Sequence, residues 1–386
     1  MLKGIYQITI DRVGGSMIPN GVIIFSEKGI HFVGKEGEAI PFSHSEIEWI
    51  DGKNGVLTPG LIDVHTHLGI HQTGIGWEGH DFNETSEPMT PHLRAIDGIY
   101  SFDQGYWDAV KAGVTTVQVL PGSANVVGGL TAVIKVKPDR SVEEQMIQFP
   151  AGLKIAFGEN PKRVHGQKGR SGVTRMGIAG MLREAFYHAL ERANKNKLDL
   201  RTESYLLALN RDIPVRAHAH RADDILTALR IAKEFQLDLT IEHVTDGIRV
   251  AKEIKQSGYP VVIGPTLSSK SKVELALKTW DIYHVFEELD IPFSITTDHP
   301  VVPIDQLLTT TRLAIGNGLS PKRALQAVTI NAAKHLHLEK RLGSLDVGKD
   351  ADFVLWSSHP LHDFHGHVRQ TWIDGECIWS KEENEI

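Results

Sequence analysis

Short apolar runs punctuate the middle of the chain, at residues 61–64, 114–120, 130–136, 153–157, 215–219, 239–244, 260–263 and 292–296. Each has the length of a buried strand, and several are separated by stretches with helical periodicity. In the clearest of these, Ile225, Ala228, Leu229, Ala232 and Phe235 fall on one face, opposite Arg230, Lys233 and Glu234. Repeated strand–helix units predict a parallel sheet, and eight of them predict closure into a (β/α)8 TIM barrel, an α/β fold. The first half is less regular, with no helical pattern between residues 120 and 130, so an open doubly wound sheet stays compatible with the pattern alone. The two ends alternate differently. Residues 21–25 and 29–33 flank the turn sequence Ser26-Glu27-Lys28-Gly29, and residues 371–373 and 376–379 flank Asp374-Gly375, a two-residue hairpin signal. Residues 351–356 form one more strand pattern. The expected organisation is a small β-sandwich domain made from residues 1–55 and 340–386, around a barrel at 56–339.

Three loops stand out. Residues 69–97 are rich in Gly, Pro, His and acids, and residues 162–176 are basic and Gly-rich. Loops of this length inside a compact domain are usually functional or mobile. The small-residue segment Gly122-Ser123-Ala124-Asn125, followed by Gly128-Gly129, lets backbone approach a ligand closely.

Composition narrows the field. The 386 residues carry 41 basic and 48 acidic side chains, a net charge of −7 without long single-sign runs. This balance argues against a nucleic-acid partner, which calls for a basic patch or stripe. No apolar stretch approaches the ~18 residues of a membrane span, and the N-terminus lacks a signal-peptide pattern. A single cysteine, Cys377, excludes an internal disulfide framework and fits a reducing compartment, so a cytoplasmic location is expected. Twenty histidines make metal chemistry or proton transfer the first thing to test.

The histidines that matter end predicted strands, the face where barrel enzymes place their sites. His65 and His67 end the first run, and a period of two points both rings to the same side, where they can share one ion. Alone, His-x-His is a weak signal. His218, His243 and Asp298 close the runs at 215, 239 and 292, and four imidazoles with one carboxylate at equivalent strand ends do not read as core packing. The runs at 351–356 and beyond add His359, His362, His365 and His367, which read as surface composition.

The segment Thr58-Pro59-Gly60-Leu61-Ile62-Asp63-Val64-His65-Thr66-His67 resembles the opening signature of the amidohydrolase superfamily. Ile241-Glu242-His243, Thr297-Asp298, Gly343-Ser344-Leu345 and Gly348-Lys349-Asp350-Ala351-Asp352 match its later landmarks. Leu153-Lys154-Ile155-Ala156-Phe157-Gly158-Glu159-Asn160-Pro161-Lys162-Arg163 resembles the imidazolonepropionase-like subgroup. The resemblance spans essentially the whole chain, and it implies one or two divalent metals, usually Zn2+. It places His65 and His67 on the first metal with Asp298 on or near it, and His218 and His243 on the second. A carboxylated lysine at Lys154 would bridge the two, with Glu159 as the rival bridge. His220, two residues beyond His218, is a substrate contact or a substitute ligand. His71 and His299 are further candidates for substrate contact. Lys162, Arg163 and Arg175 offer cationic groups for a substrate carboxylate, which guanidinium forks suit.

The implied reaction is hydrolysis of a carbon–nitrogen bond in a small cyclic amide, N-acyl or dipeptide-like substrate, with Asp298 as proton shuttle and His243 beside it. Ring deamination is the nearest alternative. Many deaminases of the superfamily carry a glutamate three residues after the fifth-strand histidine, and here that position is Arg221. True imidazolonepropionase activity is a second alternative, and a metal-free binding protein of the same fold is a third, although such proteins typically lose ligands that this chain keeps. The expected partner is a small-molecule substrate, with no nucleic acid and no membrane, and the resemblance is compatible with a homo-oligomer.

Overall fold

The computed structural model describes residues 1–13, 17–38 and 46–381. Its strands are β1 (Leu2–Ile10), β2 (Ile18–Ser26), β3 (Gly29–Lys35), β4 (Ile47–Pro59), β5 (Leu61–Thr66), β6 (Val114–Val119), β7 (Val127–Lys135), β8 (Met146–Ala156), β9 (Val215–Ala219), β10 (Leu239–His243), β11 (Val261–Ile263), β12 (Phe293–Ile295), β13 (Phe353–Trp356), β14 (Val368–Ile373) and β15 (Glu376–Ser380). They form an eight-stranded sheet, β5 to β12 in sequence order, and a seven-stranded sheet of order β15-β14-β13-β4-β1-β2-β3. Strands from both ends of the chain therefore meet in one sheet, and β4 crosses residue 55 without a break. No helix among the described residues is long and apolar enough to cross a membrane.

The eight-stranded sheet curls until its ends nearly meet. His67 N donates to His299 O at 2.9 Å. Deeper in the seam, the buried Asp63 of β5 accepts from Thr296 Oγ1 (2.5 Å), Thr297 N (3.1 Å) and Thr297 Oγ1 (2.6 Å), just beyond β12. Burial pushes the Asp63 carboxyl up to about 6, against the pull of these donors. This clamp fixes His65, two residues along β5, relative to Asp298, two residues beyond Thr296.

Seven strands run parallel and one does not. All eight apolar runs become strands, but β7 pairs antiparallel with both β6 and β8. The absence of a helix between residues 120 and 130 is the cause: a short connection can only return the chain antiparallel, whereas a parallel neighbour needs a crossover. The all-parallel expectation is corrected here. A second correction concerns the basic loop, since residues up to Gln167 lie in the helix Glu159–Gln167 and only the stretch from Lys168 to Thr174 connects it to the helix Arg175–Asn194. Pro161 sits in the first turn, where its missing N–H costs nothing.

The terminal hairpins form as expected. β2 pairs with β3 through Ser26↔Gly29, and β14 with β15 through Ile373↔Glu376. Asp374 (φ 50°) and Gly375 (φ 72°) both take the left-handed conformation that such a two-residue turn requires. The terminal sheet has its own core, in which Phe25 packs edge-on against Phe353 and Trp372. It joins the barrel through Trp356, which packs into the barrel's core, and through an ion cluster centred on Lys135 of β7.

Candidate metal centre

Four imidazoles, a lysine and an aspartate converge at the C-terminal ends of the barrel strands. His65 lies in β5 and His67 just past it, Lys154 in β8, His218 in β9, His243 at the end of β10, and Asp298 beyond β12. Alternation sends His65, His67, Lys154 and His218 inward. On β10 the inward position level with His218 is Glu242, and His243 reaches the cluster through its left-handed backbone at the strand end. His65 Nε2 and His67 Nε2 lie 3.5 and 3.4 Å from Asp298 Oδ1. Lys154 Nζ lies 3.0 Å from His65 Nε2. The His218 and His243 ring centres are 4.5 Å apart, and His220 stacks on His243 at 4.7 Å. The ligand atoms of His65, His243 and Asp298 lie within 4.8 Å of one another, and so do those of His218, His220 and His243.

The rings are pre-set for metal. His67 Nδ1 donates to Leu120 O (2.7 Å) and His243 Nδ1 to Gly264 O (2.8 Å). His65 Nδ1 donates to Glu242 Oε2 (3.0 Å). Carbonyls and carboxylates only accept, so each contact fixes the Nδ1–H tautomer and turns an Nε2 lone pair toward the mouth. Glu242 is buried in the barrel interior, where its other oxygen accepts from Thr240 Oγ1 at 2.8 Å and lies 3.6 Å from His335 Nε2. Burial raises the Glu242 carboxyl, but the adjacent His335 imidazole and the hydrogen bond from His65 outweigh it and hold the group well below the usual carboxylate range.

The electrostatics agree. Burial, with the Lys154 charge second, pushes His65 down to about 3. It also drives His218 and His220 well below the ordinary imidazole value and lowers His243. The rings are neutral at neutral pH, as metal ligands must be. Burial also lowers the Lys154 ammonium to about 8. Burial raises the Asp298 carboxyl, but the facing imidazoles of His243, His67 and His65 outweigh it and hold the group well below the usual carboxylate range. Two of these residues hold unusual backbone. His243 (φ 78°) and Asp298 (φ 53°) are non-glycine residues in the left-handed region, which persists only where surroundings over-determine it and clusters at functional sites.

Nε2 of His218 and Nε2 of His243 have no hydrogen-bond partner among the described residues and are buried. Buried polar atoms normally find a partner. Neutral rings, directed lone pairs and an adjoining carboxylate make a donor set that fits divalent metal ions.

The other expected residues divide. His299 and His71 sit beside His67. His299 Nδ1 accepts from Ile304 N (3.1 Å), which leaves its Nε2–H buried without a partner, and burial lowers this ring to about 4. His71 stacks on His80 at 4.1 Å and both contact Phe82, which in turn packs on His67, so the 69–97 loop folds back over the mouth. Glu159 stands apart from the histidines, where its Oε2 accepts from Glu274 N at 3.2 Å. Arg175 is already engaged, donating to both oxygens of Asp224 at 2.9 and 3.1 Å, and Arg163 is exposed on its helix. Lys162 is half-buried on the same helix. Arg221 points to Asp223 at 3.0 Å. Of the C-terminal histidines, His359 is more than surface composition, since it pairs with Asp11 at 3.2 Å and packs on His362.

Two residues escaped the sequence. Glu242 stood inside a recognised motif without a role, although it shares the inward register of His218 on β10. Glu274, on the turn Val273–Leu275, is buried beside His218 and His220. The only hint was the length of the connection after β11, on the mouth side.

Comparison with known proteins is consistent throughout. A profile of the amidohydrolase family matches residues 56–378. The chain is 26% identical over 374 residues to an imidazolonepropionase from Shewanella sp. (strain MR-4), covering 88% of this chain and 87% of that protein. It is 29% identical over 359 residues to the amidohydrolase tasK of Hapsidospora irregularis, covering 84% of this chain but 36% of that much longer relative. A crystal structure of an amidohydrolase from Thermotoga maritima MSB8 superposes with a TM-score of 0.93 at 36% identity, covering 98% of this chain and 100% of the other.

Proposed function

The chain belongs to the amidohydrolase family, and from that premise we propose that it hydrolyses the carbon–nitrogen bond of a small cyclic amide, N-acyl or dipeptide-like substrate at a zinc-type centre in the barrel mouth. The observation that carries this reading is the convergence of unpaired, neutral imidazole nitrogens with Asp298 in one buried cluster. His65, His67 and Asp298 would hold one metal ion and His218 and His243 a second, with Lys154 between them as a carboxylated bridge. A lysine lowered to about 8 keeps a usable fraction of free amine for that modification. The same reading makes residues 56–339 a (β/α)8 TIM barrel and residues 1–55 with 340–386 a small β-sandwich domain, which the separate core around Phe25 and Trp372 supports.

Bound divalent metal supplies Lewis acidity, lowering the pKa of water from 15.7 to ~7 and polarising a carbonyl. The chain's residues do the rest. Asp298 takes the proton of the attacking water and returns it to the departing nitrogen, which leaves only when protonated. Glu242 and the Leu120 and Gly264 carbonyls hold the rings in register, so no reorganisation is needed as charge develops. His299 Nε2–H and His71 lie where they can orient a substrate polar group.

The test is a screen of N-acyl amino acids, dipeptides and cyclic ureides with zinc-loaded enzyme. Cleavage of an amide in at least one class, absent from Asp298→Asn, is the expected result. Release of ring ammonia without amide cleavage would favour the deaminase alternative, and a chain that neither binds metal nor turns over any class would be a binding protein.

A further inference from the structure

Glu274 is a carboxylate with an oxygen to spare. Its side chain is 1% exposed. Oε2 accepts from Glu159 N at 3.0 Å, while Oε1 has no hydrogen-bond partner among the described residues. Oε1 instead faces two imidazoles, 3.7 Å from His220 Nε2 and 3.9 Å from His218 Nε2. Those separations are too long for hydrogen bonds. They suit two donors joined through a common ion, since zinc bonds run ~2.0–2.2 Å to nitrogen and carboxylate oxygen alike. His218 Nε2 is itself without a partner, so two orphaned atoms face each other across the gap.

The surroundings hold this carboxylate in place. Glu159 and Glu274 exchange backbone-to-carboxylate bonds in both directions, at 3.0 and 3.2 Å, which locks the helix Glu159–Gln167 to the turn Val273–Leu275. Gly158 (φ 85°) makes the approach feasible, because a Cβ there would lie 2.9 Å from Glu274 Oε2. Lys272 Nζ, 3.7 Å from Oε1, offsets part of the negative charge from the solvent side. A lysine partner alone leaves the contact unexplained: Lys272 reaches no hydrogen-bond distance, and a purely structural carboxylate would turn Oε1 toward it.

Resting on the proposed metal centre, we infer that Glu274 is a ligand of the second metal, completing a His218–His220–His243–Glu274 set. The loop after β11 thereby becomes part of the centre. The first metal, at His65, His67 and Asp298, does not depend on it.

Chelator-stripped wild type and Glu274→Gln, titrated with Co2+ alone, separate the possibilities through d–d absorption and stoichiometry against a chromophoric chelator. Wild type takes two equivalents. Glu274→Gln keeps the first with unchanged affinity, loses about 10- to 100-fold or more in affinity for the second, and shows an altered visible spectrum. An unchanged spectrum and affinity in the variant overturns the inference while leaving the metal centre intact. A wild type that takes up no cobalt overturns the proposed function first and the inference with it. Should the variant fold poorly, a crystal structure of zinc-loaded wild type decides: Oε1 at ~2.0–2.2 Å from the ion is expected, and Oε1 beyond hydrogen-bonding distance of it contradicts the assignment.

Discussion

Two buried polar clusters sit at opposite edges of the barrel, built from similar residue types with opposite outcomes. At the seam with the terminal sheet, Lys135 contacts Asp350 (2.6 Å), Asp352 (3.1 Å) and Asp374, Lys137 contacts Asp374 (2.7 Å), and Arg341 contacts Asp350 (2.8 Å). Each charge meets its opposite directly. At the mouth, burial instead lowers His65, His218, His220 and His243, and acceptors on Nδ1 of His65, His67 and His243 turn their Nε2 atoms toward the shared cluster. The difference lies in the donors: the seam pairs ammonium and guanidinium groups with carboxylates, and the mouth gathers imidazoles around one aspartate, a set that could hold a metal ion. Burial alone does not distinguish them: Asp352 Oδ2 at the seam lacks a hydrogen bond but lies 3.1 Å from the Lys135 ammonium, whereas the orphaned His218 Nε2 at the mouth comes no nearer than 3.9 Å to a carboxylate.

Substitutions should therefore separate activity from stability. The largest effect is expected at the mouth, where Asp298→Asn should lower turnover of an accepted amide by about 10²–10⁴-fold, with a circular dichroism spectrum like that of wild type. At the seam, Lys135→Met should cost about 3–5 kcal/mol in urea denaturation, because it leaves the buried Asp352 without its cation, while metal content per folded chain stays the same. If Lys135→Met empties the metal centre instead, the two clusters are not independent.

A subtler contrast comes from pH. Burial pushes Asp352 up to about 6 from an ordinary 3.8, despite Lys135 nearby. A carboxyl raised on folding contributes stability that is full below the unfolded value and is lost as pH rises through the folded one. The term is on the order of 3 kcal/mol. Wild type should therefore lose ground to Asp352→Asn between about pH 4 and pH 7, read from urea midpoints; a constant difference would mean that Lys135 compensates Asp352 throughout. The smallest effect belongs to the exposed His365 and His367, whose alanine variants should stay within about 0.5 kcal/mol of wild type and bind the same metal.

What was legible in the sequence follows from period. Strand alternation sends His65 and His67 to one side, and a strand-end position for His218 and His243 needs only a correct strand. The turn of His243 into the cluster comes from its left-handed backbone, which no period encodes. Chain direction is not written in an apolar run, so the reversal of β7 emerged only from its short connection. The helix over Glu159–Gln167 was hidden by Gly158 and Pro161, which read as loop residues although both are tolerated at a helix start. Arg175 looked free because its partner, Asp224, lies 49 positions away. Glu274 was invisible for the same reason: its contacts depend on how a Ser/Lys-rich loop folds back, and no local pattern encodes that.

The central claim is that the mouth cluster is unfinished until metal binds. Metal analysis of protein purified after growth with zinc tests it most directly. Two equivalents per chain, removed by chelation and restored by adding zinc, are the predicted result; protein that carries no metal and recovers none would contradict the account.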